Sequence, residues 1–417
     1  LAAFRPWGIQ QELVVQDLPT ATKVGIFSVP PNPSPYDFRF FPIFGSHFLS
    51  PSIPMANSYP RRPRADQRHK RSTVRRGRTI LLVIGLLLAV IGGAWGWKLY
   101  DYRFGTAIVR NGTIQVPTGT SFDQLGRMLR DSGYVRNLKK WNSYARSNNV
   151  QGVRAGKYAL RKGASYRTAL TAFHYGRQTP VRLTFNNIRT MDRLAGVVSR
   201  YIEADSLTVL RTLTDPEAIA ATGLTRATFP SLFIPNTYEV YWTMTPAEFV
   251  ARMQKEHDRF WTEDRREKAR KLGYTPEQIA TIASIVLEET KFQGEMTRVA
   301  GVYINRLRRG IALQADPTVK FAVGDPTIRR VLNKHLAYDS PYNTYLYAGL
   351  PPGPICVPSI AAIDATLDYA DPKNAHNYLY FCAKADFSGR HAFARTLPEH
   401  NRNAAAYAAE LNRRGIR

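Results

Sequence analysis

The sequence predicts an α+β protein held to a membrane by a single helix, with a small α+β unit and then a larger α+β domain beyond it. Three observations predict this. A charge-free stretch from Thr79 to Trp97 directly follows a run of arginines. Between residues 106 and 176, short alternating strand patterns are interleaved with helical stripes of about ten residues. From residue 180 onward, long amphipathic helices are punctuated by Pro/Gly-rich loops, and 417 residues at 44% hydrophobic can build two or three cores.

Residues 1–54 are rich in Pro, Phe and Ser without a sustained period, and Pro30 to Pro35 and Pro51 to Pro54 argue against regular structure. The first methionine is Met55, which makes it the expected natural start, with residues 1–54 an over-extended reading frame. Arg61 to Arg78 carries eight arginines and Lys70 against the single Asp66, and residues 1–78 are expected to be a basic, unstructured cytoplasmic segment. Residues 79–98 then span a hydrocarbon core of ~30 Å as a helix, with Trp95, Trp97 and Tyr100 as an aromatic belt at the far end. The positive flank precedes the span. The N-terminus is therefore expected in the cytoplasm and everything after about residue 100 outside, with a cleaved signal peptide as the rival reading.

The small unit, residues 106–176, reads as a strand at Thr113 to Pro117, helices at Ser121 to Leu129 and Asn137 to Arg146, a strand at Gly156 to Leu160, and a helix at Ser165 to Phe173. This size and order resemble a LysM-like module, a fold used on N-acetylglucosamine-containing glycans; a plain spacer is the alternative. The larger domain, residues 180–412, opens on a strand at 180–186 and continues with helical patterns at Met191 to Tyr201 and Pro216 to Ala221. An aromatic run follows from Leu232 to Trp242, and Pro246 to Leu272 reads as one long charged helix.

The next helix organises the domain. Thr275 is a natural N-cap, Pro276 suits the first helical position, and Gln278 completes a capping box. Ile279, Ile282, Ala283, Val286 and Leu287 recur at helical spacing and form a buried face. Glu288 falls on the more polar side. Glu289 lies three, four and seven residues after Val286, Ile285 and Ile282 and projects from the apolar face. A carboxyl held against hydrocarbon resists ionising, which makes it a candidate general acid near neutral pH. A solvated glutamate at a helix end is the plainer alternative. A second helix, striped by Met296, Val299, Ala300, Tyr303 and Leu307, runs to Arg309, with Gly310 as the residue that ends it. The loops Ile311 to Val319, Ser340 to Tyr345 and Gly349 to Ile355 combine fixed backbones with Gln, Asp, Asn, Thr and Tyr, side chains suited to sugar hydroxyls and ring faces. Tyr378 to Ala383 reads as a strand.

The formal charge of +26 favours an anionic partner, whether nucleic acid, acidic lipid or acidic wall polymer. No zinc-finger spacing, RNP-type aromatic motif or P-loop supports nucleic acid. Cys356 and Cys382 lack metal-site spacing, which leaves two independent apolar residues or a disulfide. The eight histidines include no His-x-x-x-His pair, so no metal is expected; His391 and His400 read as structural or cleft-lining.

Six segments now stand in one order: Ala283 to Thr290, Val302 to Leu307, Leu313 to Val319, Tyr342 to Tyr345, Gly349 to Ile355, and the Tyr378 to Ala383 strand. Together they resemble the YceG-like endolytic murein transglycosylase family. The resemblance implies a lyase that cleaves between N-acetylmuramic acid and N-acetylglucosamine, without cofactor, in the bacterial inner membrane with its domains in the periplasm. It implies Glu289 as the catalytic acid, peptidoglycan strands as substrate, and work alongside peptidoglycan synthases. Gln314, Asp316, Tyr342, Asn343 and Thr344 become expected glycan-binding residues, with structural support of the cleft as their competing role. Two alternatives stand beside the lyase: a non-catalytic peptidoglycan-binding scaffold built on the same folds, and a two-carboxylate glycan hydrolase, for which Asp316 and Glu295 are the candidates for the second carboxylate. Two departures stand out. Leu287 occupies a position where the family often has Glu, and Asn236 replaces the carboxylate of the family's Phe-Pro-Asp-Thr-Tyr in Ile234-Pro-Asn-Thr-Tyr238.

Overall fold

The computed structural model describes residues 70–415 apart from Gln151 and Asn187; the expected Met55 start and most of the basic segment lie outside the described residues. The first helix runs Lys70–Phe104, longer than the expected span of 79–98. Its apolar side chains from Ile80 to Leu99 are exposed. The helix does not stop at residue 98 because nothing before Gly105 breaks it and the small unit holds its end. Asp101 accepts hydrogen bonds from Tyr144 and from Lys140 Nζ at 2.7 Å, Lys98 donates to Ser147 at 2.9 Å, and Tyr102 is buried in the small unit's core.

That unit pairs Gly112–Val116 antiparallel with Gly156–Leu160, Gly112 opposite Leu160. Helices Phe122–Asp131, Leu138–Ser147 and Tyr166–Tyr175 bury Leu125, Leu129, Trp141, Leu170 and Phe173 in the core of this unit. Each helix begins on the cap its sequence supplies, Ser121, Asn137 or Ser165, whose side chain accepts a backbone N–H three residues on.

The larger domain packs around two clusters of buried side chains. The first surrounds the antiparallel pair Val181–Phe185 and Asn236–Val240. The second surrounds the helices Pro276–Glu289, Gln293–Arg308 and Ile360–Leu367. The chain crosses between them: Ile234 belongs to the second cluster and Val357 to the first, where its N–H donates to the Ile188 carbonyl at 2.8 Å. A third antiparallel pair, Tyr380–Ala383 with His391–Ala394, closes one side of the second cluster, and the helix Leu397–Arg413 packs on it.

Two expectations change, and the open reading of the cysteines is decided. The charged segment is two helices, Pro246–Phe260 and Glu263–Leu272. Trp261 breaks it by turning its indole into the core, and Thr262 caps the second helix. Asp316, expected in a loop, starts the helix Asp316–Val323 with Pro317 in its first turn. Cys356 and Cys382 are both free thiols; Cys356 is buried with its sulfur directed at the Ser284 carbonyl.

Candidate active site

The Glu289 helix forms as its sequence directs. Thr275 and Gln278 make the reciprocal capping box. Every side chain from Ile279 to Leu287 is buried, including Thr281 and Ser284, which satisfy themselves on the carbonyls of Glu277 and Thr281. At the far end, Lys291 Nζ donates to the Leu287 carbonyl at 2.7 Å. The two terminal carboxylates part as their positions on the helix predict. Glu288 turns to Arg189 and forms an ion pair. Glu289 enters a cleft of about 370 Å³ lined by Tyr303, Arg306, Leu313, Gln314, Asp316, Tyr345, Tyr380, Phe381, Leu397 and His400.

Within that cleft, Tyr303 Oη donates to Glu289 Oε1 at 2.8 Å. Among the described residues Oε2 has no protein partner, so one carboxyl oxygen is fixed and the other is left for a ligand. Burial lifts the Glu289 carboxyl from its ordinary 4.5 to about 7. The Tyr303 hydrogen bond acts against this, and the Asp316 charge acts with it. A carboxyl that titrates near 7 is about half protonated at neutral pH.

The surrounding side chains hold one another. Asp316 Oδ1 accepts from Tyr345 Oη at 2.7 Å; burial first, and this hydrogen bond after it, push the Tyr345 phenol up and keep it protonated. Gln314 sits in the left-handed region at φ 50°, its N–H fixed to the Thr344 carbonyl at 3.0 Å. In that pose Gln314 Oε1 accepts from Arg306 Nη2 at 2.6 Å. The Arg306 guanidinium also lies 5.4 Å from the Tyr380 ring centre. His400 stacks on the same tyrosine, at 5.5 Å between centroids. Burial and nearby Arg306 hold its pKa below the usual 6.5, so His400 is neutral at pH 7.

The predicted residues divide. Glu289, Gln314 and Asp316 share the cleft. Asn343 and Thr344 do not face it: they are 0% and 1% exposed. The Asn343 amide donates to the Leu336 and Tyr338 carbonyls, and its oxygen accepts the Tyr345 N–H. Thr344 Oγ1 accepts from the Ala315 N–H and shares a hydrogen bond with Thr318. The expected glycan contact is therefore corrected for these two: they support the backbone that presents Gln314, Asp316 and Tyr345. Tyr342 packs its ring 4.7 Å from Phe321 and is not among the lining residues. Glu295 is buried against His391, Nδ1 to Oε2 at 3.1 Å, outside the cleft. Of the two candidate second carboxylates, only Asp316 accompanies Glu289.

Tyr303, Arg306, Tyr345 and Tyr380 were not singled out from sequence. Tyr303 carried a usable signal. It lies one turn before Arg306 on the stripe that packs against the Glu289 helix, and a tyrosine among aliphatics buries a hydroxyl that needs a partner.

With this geometry in view, the likenesses to known proteins are informative. The sequence model of the YceG-like family matches residues 114–406. A Bacillus subtilis protein named endolytic murein transglycosylase is 26% identical over 345 residues, covering 78% of this chain and 92% of that one. A Streptococcus pneumoniae serotype 2 protein of the same name is 27% identical over 375 residues, covering 80% of this chain and 66% of the pneumococcal one. A crystal structure described as yceG-like, from Listeria monocytogenes, covers 70% of this chain and 98% of its own at 28% identity, with a TM-score of 0.48. The family match takes in the small unit from its first strand, the Glu289 helix and the whole cleft, and the chain belongs to the YceG-like family.

Proposed function

We propose that this protein is a membrane-anchored endolytic murein transglycosylase, a lyase that cuts peptidoglycan strands internally and leaves 1,6-anhydro-muramoyl ends. The observation that carries the reading is Glu289: a cleft carboxyl lifted to about 7, with Oε1 held by Tyr303 and Oε2 free. Two relatives that bear this enzyme name support it.

The chemistry follows from that carboxyl. Protonated Glu289 gives its proton from Oε2 to the glycosidic oxygen between N-acetylmuramic acid and N-acetylglucosamine, and the C1–O bond breaks. The carboxylate left behind takes the proton of the muramoyl C6 hydroxyl, whose oxygen closes on C1. Glu289 is thereby restored and no water is consumed. The same group acts as acid and then base, for which a pKa near 7 suits both roles. Neutral His400 is no competing acid. Gln314, Tyr380 and Asp316 offer amide, aromatic and carboxylate contacts to the sugars along the cleft.

The Lys70–Phe104 helix supports a single-pass anchor, and its basic N-terminal flank supports a cytoplasmic N-terminus with the catalytic domain in the periplasm. The small unit is read as LysM-like, a glycan-holding module near the membrane, and work beside peptidoglycan synthases fits an enzyme tethered there. A two-carboxylate hydrolase using Glu289 and Asp316 is the competing reading, since both line the cleft.

The test is mass analysis of products when the full chain in detergent meets uncrosslinked glycan strands, with Glu289→Gln alongside. Anhydro-muramoyl ends from wild type alone are expected. Reducing ends would replace the lyase with a hydrolase, and anhydro ends from both proteins would remove Glu289 from the mechanism.

A further inference from the structure

The small unit carries a charge its proposed glycan role leaves unexplained. Residues 98–178 hold fifteen Lys and Arg against three Asp, a surplus of twelve within a chain whose total is +26. Asp101, in the last turn of the anchor helix, is already occupied by Lys140 and Tyr144. The uncharged N-acetylglucosamine rings that a LysM-like module holds do not themselves call for such an excess.

Part of that charge is concentrated where the anchor helix enters the unit. Two adjoining pockets of about 390 and 490 Å³ share Arg103, Arg167, Thr171 and Tyr175; the first also takes in Leu99 from the anchor, and the second Arg177. Arg103, Arg167 and Arg177 are exposed, and among the described residues no side-chain hydrogen bond or ion pair engages any of the three guanidinium groups. Immediately below them the helix presents Trp95, Trp97, Leu99 and Tyr100, all more than half exposed. Phe104 and Tyr175 flank the pockets at 63% and 62% exposure. Free cations above an apolar, aromatic helix surface match a molecule with an anionic head and hydrocarbon tails.

We propose that this juxtamembrane pocket binds the phosphate headgroup of an anionic phospholipid, with Arg103 and Arg167 on the phosphate and the acyl chains lying along the helix beneath Leu99. The inference rests on the membrane-anchor reading. It gives the basic unit a second function: fixing the module's orientation on the bilayer, and with it the height of the catalytic cleft. Because the anchor helix continues into the unit without a linker, a headgroup held there acts on a rigid joint.

The experiment is hydrogen exchange on the full chain in bilayer discs of phosphatidylcholine with increasing phosphatidylglycerol. The expected result is protection of amides at 99–104 and 167–177 that rises with phosphatidylglycerol. Apparent affinity should fall about fivefold for each arginine removed in R103Q and R167Q, the ordinary weight of one basic residue beside an anionic surface. R127Q with R161Q removes equal charge elsewhere on the unit and should leave the protection intact; retained glycan cleavage by every variant verifies folding. Protection that does not change with phosphatidylglycerol, or equal loss in R103Q combined with R167Q and in R127Q combined with R161Q, would overturn the site. The same protection from inorganic phosphate or a soluble polyanion in lipid-free detergent would overturn the lipid assignment. Amides at 80–98 report separately on the anchor: unprotected in discs, they would remove the anchor reading itself.

Discussion

A buried acid that titrates near 7 is a stability liability, and replacing it should show the cost as a function of pH. The perturbation is Glu289→Gln. The amide keeps the shape, and its carbonyl oxygen can still accept from Tyr303 Oη, which donates to Oε1 at 2.8 Å. In the unfolded chain the carboxyl titrates near 4.5, and in the folded protein at about 7. Because the folded state holds the proton more tightly, Glu289 costs nothing below pH 4.5. The penalty grows between 4.5 and 7 and is complete above 7. At ~1.36 kcal/mol per pH unit of separation, the full penalty is about 3 kcal/mol. Glutamine cannot ionise, so the stability difference, variant minus wild type, should rise by about 3 kcal/mol from pH 4 to pH 8. Urea unfolding of the full chain in detergent, followed by tryptophan fluorescence, to which Trp261 in the buried cluster around the Glu289 helix contributes, measures it. Taking the difference cancels titrations common to both proteins. A difference that stays flat or falls over this range would refute the claim that burial raises the Glu289 pKa, and with it the argument for a neutral-pH general acid.

Other outcomes follow from the same geometry. Cleavage by wild type should decline above about pH 7 as Glu289 loses its proton. Tyr303→Phe removes the hydrogen bond that favours the carboxylate and should move this alkaline limb upward, whereas Asp316→Asn removes a like charge and should move it downward, read from pH–rate profiles. Glu289→Gln should cost ~10²–10⁴-fold in rate at pH 7. Asn343→Ala strips partners from the Leu336 and Tyr338 carbonyls and the Tyr345 N–H and should destabilise by about 2–4 kcal/mol in denaturant titrations. At Gly353 an added methyl would lie 1.9 Å from the Ala227 carbonyl oxygen, so Gly353→Ala should destabilise by about 1–3 kcal/mol or more. It should also lower activity, because Ile355, two residues on, donates its N–H to Ser284 of the Glu289 helix.

Local information was sufficient for much of this protein. Capping residues and helical stripes marked the starts of the helices at Phe122, Tyr166 and Pro276, and composition alone marked the one helix among the described residues long and apolar enough to cross a membrane. The three antiparallel strand pairs were partly legible, because alternation identifies a strand but not its partner. The helix at Leu397–Arg413 escaped notice, although Thr396 caps it: its alanines and charges make only a weak stripe, and packing on the Tyr380–Ala383 strand stabilises it.

The sequence by itself determined that Glu289 and Glu288 point in different directions, because 100° per residue is a property of the helix and not of its surroundings. It marked the apolar stripe, but the tertiary structure buries Thr281 and Ser284 on the polar side as well. Only the tertiary structure decided what the buried carboxyl meets: Tyr303 from the following helix, Asp316 and Tyr345 joined to each other by a hydrogen bond, and His400 from the last helix. It likewise sent Asn343 and Thr344 inward, though their polarity had suggested a sugar-facing role, because the loop's own backbone carbonyls and N–H groups needed partners away from water. Side-chain type states what a residue can bond. Which partner it takes depends on the unsatisfied groups that folding brings beside it.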